Sequence, residues 1–348
     1  MIGIYLFIHK NKIGLSELSK RRNISLDIDI ILIQKYGLRP SLITNLGNIY
    51  KVLTVDGTYA FKIYDWPVHF NFHFALQQQL NKNGFSQYPR VISTLDGLNS
   101  VEIGGMTYIL SEWVEGIKPS FSNVEHLKIG AAFLAFFHRA ATSSEEVRIK
   151  SAPNDFLYPN TFNDMRVGQF RNGVIIKKLK EWVQQFGTDP LKIALERLEH
   201  AEYMFPLDSY EELVTLEREE NTFIHGDYNA SNLILSPEGK VYLIDFDDSS
   251  YFVRISDLIF FCHLHMGKEA EFLLEILKSY HKVRPLSNVE FEIIKSQLFV
   301  PGKIYWEMHV NTFLNNPISK EWINKSLGSY SRKEFFDKIK KLSYSDLY

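Results

Sequence analysis

Three oxygen-bearing side chains, Asp227, Asn232 and Asp245, flank a predicted β-hairpin. Two short apolar runs, 233–235 and 241–244, favour strands, and the Ser-Pro-Glu-Gly sequence between them favours a turn. In an antiparallel hairpin the start of the first strand lies beside the end of the second. We therefore expect Asn232 and Asp245 to lie close together, with Asp227 a short loop upstream.

This combination of side chains is typical of phosphoryl transfer. Carboxylate and amide oxygens suit Mg²⁺ and a phosphate-bearing substrate. In such reactions one carboxylate receives or orients the acceptor hydroxyl, while an Asn and a second Asp hold the metal. The spacing from Asp227 to Asn232 is that of the kinase catalytic loop, with His225 in its leading position. We predict that Asp227 is catalytic, that Asn232 and Asp245 are Mg²⁺ ligands and that Asp247 is a supporting or second-metal carboxylate. The alternative is an ordinary loop, since Asp, Asn and Gly are common turn residues.

A lysine on a predicted strand supplies the cation that this chemistry requires. The segments 42–46, 49–55 and 58–64 favour strands, and Asp56-Gly57 is a hairpin signal. Lys62 lies among apolar neighbours on the third strand, which favours a phosphate-binding lysine over a solvent-exposed one. The first turn carries Gly47 but no Gly-x-Gly-x-x-Gly run.

Kinases usually tether this lysine to a glutamate on the next helix. Here the predicted helix 68–83 contains no acid, so His73 or Gln77 is expected at that position, with a weak tether. The alternative is a tether from another acid such as Asp245.

The chain resembles the aminoglycoside phosphotransferase and choline kinase group, which shares the protein-kinase fold. Within that group it is similar to the CotS-like spore coat kinases of endospore-forming bacteria. The resemblance covers roughly residues 30–315. It rests on His225-Gly-Asp-Tyr-Asn-Ala-Ser-Asn232, Ile244-Asp-Phe-Asp247, Thr58-Tyr-Ala-Phe-Lys62, Gly84-Phe85, Tyr108-Ile-Leu-Ser-Glu-Trp-Val-Glu-Gly116 and His138.

The resemblance implies a two-lobed, kinase-like α+β fold. An amino-terminal extension (1–40) would precede a small β-rich nucleotide lobe (41–115) and a mainly helical lobe (116–348). The connector residues Glu112, Trp113 and Val114 would contact the adenine of ATP, with GTP as the other candidate nucleotide. Asp257 would hold the backbone of the loop that begins at His225.

Three functions follow from these observations. The first is ATP-dependent transfer to a hydroxyl acceptor, either a small molecule or a coat protein, in association with the spore coat. The second is a structural coat protein on a weak or inactive kinase fold. The third is a kinase for an amino alcohol, sugar or antibiotic. The acidic run Glu211-Glu212 and Glu217–Glu220 is either a solvated helix face or a rim that attracts a cationic acceptor.

The bulk composition is that of a soluble globular protein. The 348 residues are 45% hydrophobic and 23% charged, and the net charge of -2 gives no argument for nucleic-acid or membrane-surface binding. A single cysteine, Cys262, excludes an internal disulfide framework and fits a reducing compartment. The apolar segment 2–8 lacks the features of a secretory signal, and no run reaches the length of a membrane span. We expect cytoplasmic synthesis, with deposition in the spore coat if the resemblance holds.

One buried helix is expected over Asn123–Ala141, because this segment is apolar nearly all round. His138 on it is expected to be a core histidine. Cys262, His263 and His265 lie too close together on one helix to favour a metal site.

Overall fold

A five-stranded antiparallel sheet, in the order β1-β2-β3-β5-β4, forms the smaller part of the molecule. The structure is a computed structural model that describes residues 21–47, 49–64, 70–143, 173–265, 270–300, 319–321, 323 and 333–348. The three strands predicted over 42–64 are confirmed, and β2 and β3 form a hairpin around Asp56-Gly57. The strands are β1 (Pro40–Asn45), β2 (Ile49–Thr54), β3 (Thr58–Tyr64), β4 (Val101–Ile103) and β5 (Met106–Glu112).

Helix α1 (Arg21–Tyr36) covers the apolar face of this sheet. Its buried residues Ile28 and Leu32 form one hydrophobic cluster with Val52, Phe61 and Leu110. The described part of the amino-terminal segment is therefore held on the sheet by hydrophobic burial.

The segment Pro89–Ser93 runs beside β5 without forming a strand. Only Val91 forms a β-bridge there, with Ser111 on β5. The chain then turns away at Thr94, whose N–H donates to the carbonyl of Leu98 at 2.8 Å. Strand β4 occupies the sheet edge instead, so the segment at 89–93 contributes single hydrogen bonds and no ladder.

Helices form most of the larger part of the molecule, and α3 and α8 pack against each other within its core. The helix predicted over Asn123–Ala141 is confirmed, and the Asn123 side chain caps it by accepting from the N–H of Glu125 at 2.8 Å. The helices are α2 (Phe70–Lys82), α3 (Val124–Ala140), α4 (Gly173–Phe186), α5 (Asp189–Met204), α6 (Leu207–Glu219), α7 (Ile255–His263), α8 (Ala270–Val283), α9 (Asn288–Leu298) and α10 (Lys333–Lys341).

The predicted hairpin is also confirmed. Strands β7 (Leu233–Leu235) and β8 (Val241–Leu243) pair antiparallel with Leu233 opposite Leu243. A second short ladder, between β6 (Phe223–Ile224) and β9 (Ser250–Tyr251), joins the two ends of the chain segment that contains this hairpin. The predicted site residues from His225 to Asp247 lie between these two strands.

Within the described residues, no helix is both long and apolar enough to cross a membrane.

Candidate active site

The His225–Asn232 segment, which we call the HGD loop, holds the Asp227 carboxylate between two asparagine side chains. Asn229 Nδ2 donates to Asp227 Oδ1 at 2.9 Å, and Asn232 Nδ2 donates to Asp227 Oδ2 at 2.9 Å. Both amides also donate to the Asp227 main-chain carbonyl, at 3.0 and 2.8 Å. These four hydrogen bonds fix the direction of the carboxylate, as a group that orients a reacting hydroxyl requires.

Asp257, at the start of α7, binds the backbone of the HGD loop. Its Oδ2 accepts from the N–H of His225 at 2.8 Å, and its Oδ1 accepts from the N–H of Gly226 at 3.0 Å. Gly226 has φ +84°, and a Cβ at this position would overlap with the carbonyl oxygen of Asp248. The glycine is therefore required for both backbone conformation and space. His225 Nε2 lies 3.0 Å from the carbonyl oxygen of Ile244, which connects the loop to the end of the hairpin.

A buried histidine contacts the Asp257 carboxylate. His138 Nε2 lies 3.3 Å from Asp257 Oδ2, and His138 Nδ1 lies 2.7 Å from the hydroxyl of Tyr280. Burial lowers the pKa of His138 to about 4, although its hydrogen bond to Asp257 opposes that shift. His138 is thus neutral at physiological pH and is the buried core histidine that the sequence predicts.

Lys62 on β3 is held by two carboxylates from the segment after the hairpin. Its Nζ lies 2.7 Å from Asp245 Oδ1 and 2.7 Å from Asp247 Oδ2, and the Tyr64 hydroxyl donates to Asp247 Oδ1 at 3.0 Å. Burial lowers the pKa of Lys62, but attraction to Asp247, Tyr64 and Asp245 outweighs it and raises the pKa well above its ordinary value. The lysine is therefore charged, and its tether comes from acids that follow β8.

The two carboxylates around Lys62 are not equivalent. Burial raises the pKa of Asp247 to about 6, against the attraction of Lys62 and with repulsion from Asp245 adding to the rise. Asp245 leaves 26% of its side chain exposed and Asp247 leaves 10%, so an ion from solvent reaches Asp245 more easily.

Asn232 and Asp245 meet at the open end of the hairpin. The N–H of Ile244 donates to the carbonyl of Asn232 at 3.0 Å, which places Asp245 next to it. Asp245 has φ 66° and ψ 70°, a left-handed conformation that Asp and Asn tolerate better than most residues. The backbone there turns sharply as the chain leaves β8.

The side-chain oxygen atoms of Asn232 and Asp245 are suitable ligands for Mg²⁺. The side-chain amide nitrogen of Asn232 donates both of its hydrogen bonds to Asp227. The Oδ1 atom of Asn232 is therefore the atom available as a metal ligand. Together with the Asp245 carboxylate this gives hard oxygen ligands, and Mg²⁺ is usually bound by one or two such groups plus substrate phosphates. The described residues include no group of three His, Cys, Asp or Glu that would hold a metal by itself.

The connector residues form contacts within the protein. The Glu112 carboxylate pairs with the Arg90 guanidinium, and the N–H of Trp113 donates to the Thr58 carbonyl at 3.1 Å. Lys51 Nζ lies 4.6 Å from the centroid of the Trp113 ring, a cation–π contact. Val114 is half-buried. The predicted adenine contacts would therefore have to come from backbone groups other than the Trp113 N–H.

The acidic run before the HGD loop divides into two parts. Glu211 and Glu212 are exposed, as expected for a solvated helix face. Glu217 is buried and pairs with Arg254 at 3.1 Å, with Arg284 at 3.7 Å. This glutamate stabilises the packing of α6 against the rest of the helical region.

Three residues of the site were missed by the sequence analysis: Asn229, Tyr64 and Lys118. Asn229 lies inside the quoted motif, and its spacing from Asp227 was the available signal. Lys118 Nζ donates to the Ser231 carbonyl of the HGD loop. Its approach depends on a contact between distant segments, for which the sequence holds no signal.

The chain belongs to the phosphotransferase enzyme family, whose model matches residues 45–288, more than half of the sequence. The fold is similar to that of an aminoglycoside phosphotransferase from Alicyclobacillus acidocaldarius, with 18% identity, a TM-score of 0.69 and coverage of 87% of this chain and 92% of that chain. A spectinomycin phosphotransferase in complex with ADP and spectinomycin is 14% identical, with a TM-score of 0.55 and coverage of 92% and 96%. Its AMP-bound complex is 13% identical, with a TM-score of 0.59 and coverage of 90% and 97%. No curated protein matches the sequence.

The two-lobed, kinase-like α+β fold is thereby confirmed.

Proposed function

We propose that this protein transfers the γ-phosphoryl group of Mg²⁺-bound ATP to a hydroxyl acceptor. The observation that carries the proposal is the convergence of two residue pairs at the open end of one hairpin. The Asn232 amide holds the Asp227 carboxylate, and Asp245 holds the Lys62 ammonium. Binding of ADP and AMP by a spectinomycin phosphotransferase of the same fold supports an adenine nucleotide over GTP.

Each residue has a defined task in this reaction. Asp227 accepts a hydrogen bond from the acceptor hydroxyl and takes its proton as the new O–P bond forms. The bond between the γ-phosphorus and the bridging oxygen breaks, and a nucleoside diphosphate leaves. Lys62 binds the phosphate oxygens and stabilises the negative charge of the transition state. Asn229 and Asn232 hold the carboxylate so that it faces the hydroxyl.

Asn232 and Asp245 would hold Mg²⁺. When bound, the ion would neutralise negative charge on the phosphate oxygens. Asp247 remains hydrogen-bonded to Lys62 and Tyr64 in this arrangement and acts as support.

The acceptor and the cellular location are proposals that rest on the sequence resemblance. The similarity to CotS-like kinases supports synthesis in the cytoplasm and association with spore coat proteins. A coat protein or a small amino alcohol, sugar or antibiotic would then supply the hydroxyl. A structural coat protein without turnover is the competing function, and an intact Asp227–Asn232 pair argues against it.

The first test is thermal stabilisation by ATP with and without Mg²⁺. A ligand that binds the native state raises stability by about 2.7 kcal/mol at a hundred times its dissociation constant. For a chain of 348 residues we expect a rise in Tm of a few degrees, since about 1–2 °C corresponds to each kcal/mol. The rise should require Mg²⁺ and should be lost in Asp245→Asn, which keeps a residue type suited to the left-handed backbone.

Glu238→Gln is the matched control, because Glu238 lies in the exposed turn of the same hairpin. It should keep the full Mg²⁺-dependent rise. An absence of stabilisation at millimolar ATP in the wild type would favour the structural coat protein. A rise that is independent of Mg²⁺ would contradict the assignment of Asp245.

A further inference from the structure

The segment after the connector is fastened to the hairpin. Ile117 exchanges two backbone hydrogen bonds with Leu235, at 3.0 and 2.8 Å. Gly116, with φ +155°, approaches so closely that a Cβ there would overlap with the Leu235 carbonyl oxygen. Because the contact is antiparallel, the next residue of the segment, Lys118, continues toward the start of β7 and the HGD loop.

Lys118 reaches the loop at the residue before the proposed metal ligand. Its Nζ donates to the Ser231 carbonyl, and Ser231 precedes Asn232. An ammonium group has three donors, and Ser231 accepts one of them. Burial lowers the pKa of Lys118, while attraction to Asp245 opposes the shift, so the ammonium lies in the field of that carboxylate.

The two lysines of the site differ in charge balance. Lys62 has the carboxylates of Asp245 and Asp247 within 2.7 Å. Among the residues that the structure describes, no carboxylate forms an ion pair with Lys118, whose side chain binds a neutral carbonyl. A cation without a paired carboxylate, beside the proposed metal ligands, is placed to bind a polyanion.

We propose that Lys118 is a second phosphate-binding lysine, which contacts the γ-phosphoryl group during transfer. This inference rests on the proposed function. The Lys118 ammonium stays protonated and donates to non-bridging phosphoryl oxygens. The proton of the acceptor hydroxyl goes to Asp227, and the nucleoside diphosphate leaves. Lys62 acts from the sheet and Lys118 from the segment after the connector, so the negative charge is bound by cations from two separate elements.

The test compares two nucleotides that differ in the γ-phosphate. Dissociation constants for Mg²⁺–ADP and for Mg²⁺ with a non-hydrolysable ATP analogue would be measured by titration calorimetry. Lys118→Met should weaken the triphosphate analogue about tenfold and ADP less than about threefold, as expected for loss of one charge-assisted hydrogen bond. Lys118→Arg should restore at least half of the lost preference for the triphosphate analogue over ADP, because arginine keeps the positive charge. The control Lys240→Met removes an exposed lysine from the far end of the same hairpin and should change neither constant.

The outcomes distinguish failure of the proposed function from failure of the proposed Lys118 contact. If the wild type binds neither nucleotide, the proposed function and the role of Lys118 both fail. If the wild type binds both and Lys118→Met weakens them equally, or not at all, the γ-phosphoryl contact is wrong and Lys118 only joins the connector to the HGD loop. Failure of Lys118→Arg to recover discrimination would likewise overturn the electrostatic role.

Discussion

The Asn232 side chain donates from one nitrogen to two acceptors of Asp227, the main-chain carbonyl at 2.8 Å and Oδ2 at 2.9 Å. This leaves the amide oxygen to face away from the carboxylate. One residue therefore orients the proposed base and presents a ligand for the proposed metal.

Asn229 also donates to the Asp227 carboxylate, but it is not a proposed metal ligand. Substituting each asparagine therefore distinguishes metal binding by Asn232 from orientation of the carboxylate. Asn232→Ala should lower phosphoryl transfer at least about a hundredfold and raise the Mg²⁺ concentration needed for half-maximal rate, because orientation and a ligand are both lost. Asn229→Ala should lower the rate about tenfold and leave the Mg²⁺ requirement unchanged. Mg²⁺ titrations of ADP release from ATP provide the measurement. Equal Mg²⁺ requirements in the two variants would contradict a ligand role for Asn232.

Asp227→Asn should abolish transfer while leaving nucleotide affinity within a few-fold of the wild type. The substitution removes the proton acceptor, whose contribution is about 10²–10⁴-fold in rate, and keeps a side chain of the same shape. Rates of ADP release and calorimetric dissociation constants for Mg²⁺–ADP give the two quantities. A parallel loss of binding and rate would show that Asp227 acts in nucleotide binding instead.

Asp257→Asn should destabilise the fold by about 2–4 kcal/mol, since an amide nitrogen would replace one of two oxygens that accept main-chain N–H groups. Phosphoryl transfer should fall as well, because the HGD loop loses one of these anchors. Denaturant unfolding gives the free energy. The control Asp189→Asn changes an exposed acid at a helix start and should cost less than about 1 kcal/mol. Equal costs for the two variants would refute the anchoring role.

Asp247 should make the stability of the protein depend on pH in a recognisable window. Its pKa is raised from 3.8 to about 6, so the folded state binds more protons than the unfolded state between these values. Stability from this group is therefore highest at and below pH 4 and declines until the pH passes 6, by about 3 kcal/mol. The difference in unfolding free energy between wild type and Asp247→Asn should fall over that range. A difference that stays constant from pH 4 to 7 would contradict the raised pKa.

The sequence predicted the parts of the site that are local in the chain. The hairpin, its flanking Asn232 and Asp245, and the HGD loop depend on turn residues and strand-prone runs within one short segment, and the pairing of Leu233 with Leu243 confirms that prediction. The buried helix with His138 followed from its apolar composition alone.

Contacts between distant segments were predicted less well. The absence of an acid on α2 led to the expectation that His73 or Gln77 would tether Lys62 weakly, with Asp245 as the alternative. The carboxylates that contact the Lys62 ammonium are those of Asp245 and of Asp247, which was assigned only a supporting or metal role. Lys118 meets Ser231 because Ile117 pairs with Leu235, and that pairing has no signature in either segment. Composition and spacing describe neighbours in the chain, whereas these contacts are set by how the sheet docks on the helices.

Hydrogen bonds on both sides of the connector limit how the sheet can move relative to the hairpin. Trp113 is hydrogen-bonded to Thr58 of the sheet, and Ile117 is hydrogen-bonded to Leu235 of the hairpin. Any rotation of the sheet relative to the hairpin that preserves both contacts must be absorbed by the residues between them, Val114 to Gly116. A rotation of that kind would widen the gap between Lys62 and Asp245, while Lys118 stays hydrogen-bonded to the HGD loop.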